Sequence, residues 1–142
     1  MTRSFLLFSA LLGALLFTGC ASVTKQASNQ FPQPAPDKGL VYFYREGKFV
    51  GSLVSYNIKH EDKVIGALAN GTYFFYEVAP GTHTFTASTE AKASRTVTVE
   101  AGKTYYIVGS VDVGLFAGRP ALKIENEQEA KSVLPSLKYA TK

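Results

Sequence analysis

The stretch Thr72-Tyr73-Phe74-Phe75-Tyr76-Glu77-Val78-Ala79-Pro80-Gly81-Thr82-His83-Thr84-Phe85-Thr86-Ala87-Ser88-Thr89 decides the fold. Its first seven residues are mostly aromatic and β-branched, the side chains that fit a pleated, half-buried surface. Ala79-Pro80-Gly81-Thr82 then suits a type II turn: Pro80 presets φ at the second position and Gly81 supplies φ > 0 at the third. Past the turn the chain alternates. Thr82, Thr84, Thr86 and Ser88 share one face, and His83, Phe85 and Ala87 share the other. That period of two is the mark of a half-buried strand.

The same grammar extends in both directions. Towards the C-terminus, Ser94 to Glu100 opposes Val97 and Val99 to Thr96 and Thr98. Ala101-Gly102-Lys103 turns the chain into Thr104 to Val113, and Arg119 to Glu125 is a last strand. Towards the N-terminus, Lys63 to Ala69 precedes an Asn70-Gly71 turn, a strand lies within Phe49 to Glu61, and Glu46-Gly47-Lys48 turns out of Leu40 to Arg45. Short strands with turn signals at close intervals predict an all-β fold, an antiparallel sandwich or barrel, and the strand-turn pattern resembles that of a small antiparallel β-sandwich of immunoglobulin-like or transthyretin-like kind. It occupies residues 39–126, enough chain for one core. Asn126-Glu127-Gln128-Glu129 resembles a capping box and opens a short C-terminal helix that Pro135 stops, within a helix-and-tail segment over residues 127–142. Ser136 to Lys142 is expected as a polar tail.

Upstream of the sandwich the chain changes character. Residues 1–19 read as a cleaved signal peptide: a short head with Arg3, then Phe5 to Phe17, apolar but for Ser9 and Gly13, then the small Thr18-Gly19. This run of 13 residues is short of the roughly 20 that a membrane-spanning helix needs. Residues 20–38 form an N-terminus and linker. Pro32, Pro34 and Pro36 lock φ at alternate positions and favour an extended polyproline II spacer. The alternative is an ordered arm with Phe31 docked on the domain. Cys20 is the one cysteine of the sequence. It cannot close an internal disulfide, so its position carries its meaning.

Two resemblances follow from these residues. Leu16-Phe17-Thr18-Gly19-Cys20 resembles the lipobox of bacterial lipoproteins, although Phe17 stands where that family usually has Leu. The resemblance implies diacylglycerol on the Cys20 sulfur, cleavage just before it, and acylation of the new amine. Ala21, in place of the Asp that commonly retains such proteins at the inner membrane, implies the outer membrane, with the protein facing the periplasm. The second resemblance rests on Leu40-Val41-Tyr42-Phe43-Tyr44-Arg45, on Gly71 to His83, and on Glu100-Ala101-Gly102-Lys103-Thr104-Tyr105-Tyr106. That ordered set resembles the family of short bacterial lipoproteins known as domain of unknown function 2846. It implies a β-sandwich on a lipid anchor and carries no catalytic residues.

The chemistry legible in the sequence is sparse. With Lys+Arg 15 against Asp+Glu 11, the net charge is +4, falling to +3 once Arg3 leaves with the leader. That weak balance, with export, argues against nucleic acid. His60 in Lys59-His60-Glu61-Asp62 reads as a solvated turn residue rather than a zinc ligand, and His83 as a strand residue at the sandwich edge. A triad of His83, Asp112 and a serine lacks a nucleophile elbow. Gly102-Lys103-Thr104 has Val97 where a phosphate loop needs glycine. No catalytic residue, cofactor or metal site is expected. Tyr42, Tyr44, Arg45, Tyr73 and Tyr76 form a candidate interaction face, against the alternative that the aromatics fill the core. The expected function is a non-enzymatic, lipid-anchored envelope protein whose sandwich binds or supports an envelope protein or cell-wall polymer. The alternative is an inhibitor or accessory subunit of an envelope enzyme.

Overall fold

The computed structural model describes residues 31–113 and 118–140. The leader, Cys20 and the first part of the linker, named above, lie outside the described residues. Nine strands and a short helix follow in order: β1 (Gly39–Arg45), β2 (Tyr56–His60), β3 (Lys63–Leu68), β4 (Thr72–Val78), β5 (Gly81–Ser88), β6 (Lys92–Val99), β7 (Thr104–Val113), β8 (Gly118–Glu125), α1 (Glu127–Val133) and β9 (Lys138–Tyr139). They build two sheets, β8-β7-β1-β4-β9 and β3-β2-β5-β6. The all-β sandwich expected from the sequence is the fold observed.

Alternation sorts the side chains as a sandwich requires. Val41 and Phe43 of β1, Phe74 and Val78 of β4, and Ile107 of β7 meet Ile58, Phe85, Ala87, Val97 and Val99 of the opposite sheet in one buried cluster. Phe43 is its centre: it stacks on Phe74 at 5.0 Å and meets the edge of Phe85 at 5.0 Å. The outer face of the four-stranded sheet is hydrophilic. There Thr82, Thr84 and Thr86 pair hydroxyl to hydroxyl with Thr98, Thr96 and Ser94.

The five-stranded sheet is covered on both faces. Leu40, Tyr42, Tyr44, Tyr73 and Tyr106 point away from the sandwich core into a second cluster, closed by Ala130, Leu134 and Leu137. All seven residues of β1 are therefore buried. A central strand packed on two sides has no solvent face, which is why its sequence runs apolar and aromatic without alternation.

Four details differ from the sequence-based expectation. β1 pairs with β7 in parallel, and β9 with β4 in parallel, within an otherwise antiparallel fold. β9 comes from the expected polar tail: the Lys138 N–H donates to Gly71 O and the Ala140 N–H to Tyr73 O, extending the sheet past β4. The Pro80-Gly81 corner carries the chain from one sheet to the other, with Gly81 at φ +139°, positive but far from the type II value. Phe49 to Ser55 is loop rather than strand. At the helix, Asn126 caps α1 by accepting the Glu129 N–H at 2.9 Å.

Candidate functional site

The aromatic face anticipated at Tyr42, Tyr44, Arg45, Tyr73 and Tyr76 is not exposed. Tyr42, Tyr44, Arg45 and Tyr73 are buried and Tyr76 is half-buried. Alternation divides the set: Tyr42, Tyr44 and Tyr73 lie on the outer side of the five-stranded sheet, while Arg45 and Tyr76 turn towards the sandwich core. The three outer tyrosines escape solvent because the chain covers them itself. Residues 31–38 of the linker double back along the sheet as an ordered arm. Phe31 stacks on Tyr73 at 5.4 Å and lies 6.3 Å from Tyr42. The Tyr42 hydroxyl donates to Pro32 O at 3.0 Å, and the Ala35 N–H donates to a Glu77 carboxylate oxygen at 3.2 Å. The described part of the linker is thus packed on the domain, not a free spacer.

Between this arm and α1 lies a cleft of about 280 Å³. Its floor is the stacked pair Tyr42 and Tyr106, 5.6 Å apart, and its walls include Phe31, Pro32, Leu134 and Lys131. The phenols here are tuned towards the neutral form. Burial raises the Tyr42 hydroxyl well above its ordinary value, with the neighbouring Tyr106 and Tyr73 adding to the effect. Burial raises Tyr106 too, helped by the charge of Glu127 and a hydrogen bond to it and opposed by Lys131. Tyr44 is pushed up to about 12 by burial, then by the carboxylates of Glu125, Glu46 and Glu129. Tyr73 is also raised by burial, and its hydroxyl is buried without a hydrogen-bond partner. Neutral phenols over an apolar floor suit stacking and hydrogen bonding to an extended chain, the contact the arm already makes.

Arg45 does different work from the tyrosines. Its guanidinium lies 5.8 Å over the Tyr56 ring and donates Nη1 to Val54 O and Nη2 to Gly51 O, the latter at 2.6 Å. Those carbonyls belong to the β1–β2 loop, which also holds two tight turns: the Ser52 N–H donates to Phe49 O and the Val54 N–H to Gly51 O. The result is a fixed loop that presents Phe49 at 95% exposure, Leu53 at 98% and Val50 at 59%.

The two histidines meet. His60, at the end of β2, is half-buried against Phe85 and Tyr76 rather than sitting in a solvated turn. Its Nε2 lies 2.9 Å from His83 Nδ1, and His83 Nε2 lies 2.7 Å from Ala79 O. A carbonyl only accepts, so His83 donates from Nε2 to Ala79 O, and in its neutral form it accepts at Nδ1 from His60. Strand pairing creates this contact: β2 runs beside β5 with His60 opposite Phe85, two residues from His83. Sequence reasoning missed the pair because it did not know that β2 and β5 are neighbours. Asp112 sits near the other end of the sandwich, on the β7–β8 hairpin, so the structure does not bring the paper triad together. Among the described residues, no group of three His, Cys, Asp or Glu could hold a metal ion.

These features define a small two-sheet sandwich with a self-covered aromatic face and a rigid apolar loop. The family model described as "Protein of unknown function (DUF2846)" matches residues 35–119, and the chain belongs to that family. It is also similar to an uncharacterized protein of Haemophilus influenzae, 28% identical over 134 residues, covering 89% of this chain and 79% of that protein.

Proposed function

We propose that the protein is a lipid-anchored component of the bacterial envelope, held at the outer membrane and facing the periplasm, whose sandwich serves as a binding or structural module. The anchor reading rests on Leu16-Phe17-Thr18-Gly19-Cys20 after an apolar run. Two or three acyl chains at Cys20 would give lasting attachment, whereas one chain, at roughly 0.8 kcal/mol per buried CH₂, gives only marginal binding. The observation that carries the module reading is the aromatic floor of Tyr42, Tyr73 and Tyr106, on which a proline-bearing segment already lies. Stacked neutral tyrosines with a hydroxyl aimed at a carbonyl are the chemistry by which aromatic grooves take polyproline segments.

Two measurements test this reading. Intact-mass analysis of the protein purified from membranes should find acyl groups on a chain beginning at Cys20, and Cys20→Ser should lose both the acyl mass and that cleavage. An unmodified thiol at Cys20 in the wild type would sink the anchor. Crosslinking in intact cells should capture a multi-protein assembly or cell-wall polymer. Capture of a single hydrolase would instead support an inhibitor or accessory subunit.

A further inference from the structure

The β1–β2 loop puts its apolar side chains in water and keeps them there. Phe49 and Leu53 are almost wholly exposed and Val50 more than half. A flexible loop with this composition would fold such side chains against the domain. Here the backbone is pinned from three directions: Arg45 holds Gly51 O and Val54 O, the two turns hold Phe49 O and Gly51 O, and the Lys48 N–H donates to Asn70 Oδ1. The loop is also seated on β7, where a side chain at Gly51 would meet Val111. It is a built protrusion whose Phe49 and Leu53 side chains stand clear of the domain, while Val50 lines a cleft against β7. Its charged residues, Glu46 and Lys48, cancel, so it carries no net charge to be repelled by an anionic surface.

The path of the arm indicates what lies against this loop. β1 runs from Gly39 towards Arg45 and the loop. The arm runs the opposite way, so Phe31 ends level with Tyr73, which pairs with Tyr44 near the end of β1. At that end Gly71 lies against Gly47 and Asn70 bonds to Lys48. The chain upstream of Phe31 therefore starts from the end of the sandwich that carries the loop. Ten residues separate Phe31 from Cys20, a reach of at most roughly 40 Å when fully extended. We infer that the Phe49-Val50-Gly51-Ser52-Leu53 loop inserts into the interfacial region of a lipid bilayer, docking the sandwich on the membrane by its Arg45 end. This rests in part on the tether reading, and the test separates the two.

The sequence contains no tryptophan, so a single introduced one reports its own surroundings. In the full chain, Phe49→Trp should show blue-shifted emission on vesicles of phosphatidylethanolamine and phosphatidylglycerol, and quenching by brominated acyl chains. Leu53→Trp should do the same. Val64→Trp, on an exposed position at the opposite end, should do neither. Adding Leu53→Asp to Phe49→Trp should weaken the insertion signal by at least about tenfold, since one apolar anchor is replaced by a charge. Tryptophan at 49 that stays solvent-like while the chain floats with vesicles would overturn the inference and leave the tether standing. Insertion by a chain that carries no acyl mass would uphold the loop and remove the tether. Neither flotation nor a shift, or a shift that grows with protein concentration without vesicles, would overturn it, the latter assigning the loop to a second copy.

Discussion

Arg45 is the residue whose replacement tests the architecture most directly. It is 3% exposed, and its hydrogen-bond partners are the carbonyls of Gly51 and Val54 rather than a carboxylate. Hydrogen bonds from a charged donor contribute about 1.5–3 kcal/mol each. The guanidinium fork reaches two carbonyls at once, and the Tyr56 face adds about 0.5–1 kcal/mol. Arg45→Lys keeps the buried charge but replaces a planar fork by a point donor, so one carbonyl loses its partner. The expected loss is about 2–3 kcal/mol in urea denaturation, with faster amide exchange at Ser52 and Val54. Arg45→Met removes the charge with the bonds, which relieves desolvation and offsets part of the loss. Its stability should fall no further than that of the lysine variant, while the loop exchanges just as fast. Wild-type stability and loop protection in Arg45→Lys would refute the view that the fork holds the loop.

Three further predictions are independent of that one. A side chain at Gly109 would collide with the Tyr56 hydroxyl and with Leu68, so Gly109→Ala should destabilise by about 1–3 kcal/mol, read from the urea midpoint. Tyr73 has a buried hydroxyl with no partner, so Tyr73→Phe should leave stability unchanged or raise it, because an unsatisfied buried polar group costs about 1–3 kcal/mol; a fall of more than about 1 kcal/mol would show that the hydroxyl has a partner, such as a bound water. Tyr44 and Tyr56 are both pushed up to about 12, chiefly by burial, although Arg45 lowers Tyr56. Their folded values exceed the unfolded value near 10, so their contribution is whole below about pH 10 and is lost as pH rises towards 12. Ultraviolet titration of tyrosinate should therefore lag at these residues and coincide with alkaline unfolding.

Local signals carried far in this chain, and pairing signals did not. Thr72 to Val78 and Thr104 to Val113 form strands over the expected residues, because aromatic and β-branched runs ended by Pro80-Gly81 and opened by Gly102-Lys103 are unambiguous at short range. Val97 and Val99 face the core and Thr96 and Thr98 face out, as alternation requires. The parallel β1–β7 pair joins Leu40 to Thr104 across more than sixty residues, and nothing in either segment names the other. The same blindness concealed the histidine pair. The loop was misread for a different reason: Phe49, Val50, Leu53 and Val54 have strand composition, but Gly51 sits at φ +73°, and Arg45 captures its carbonyl where a ladder would continue. Of the two readings open for the aromatics of β1 and β4, an interaction face or core packing, the residues are buried, and their cover comes from Phe31 and Leu134, in segments expected as linker and helix.

That cover explains the side-chain chemistry of the two clusters. The layer between the sheets is sealed on both sides and is built largely of Phe, Val, Ile and Leu. The outer layer is thin, closed by an eight-residue arm on one flank and two turns of helix on the other, so rings such as Tyr42 and Tyr106 lie close to an edge, although the Tyr73 hydroxyl stays buried. Tyrosine suits such a layer, with an apolar body below and a hydroxyl at the rim. Tyr42 uses its hydroxyl to fasten Pro32, and Tyr106 places its own by the Glu127 carboxylate at the cleft. The arm is therefore held by a few bonds at its margin over a floor that is largely apolar. The described part of the segment that leads to Cys20, from Phe31 on, is packed as part of the domain, with Phe31 held on Tyr73 at its outer end.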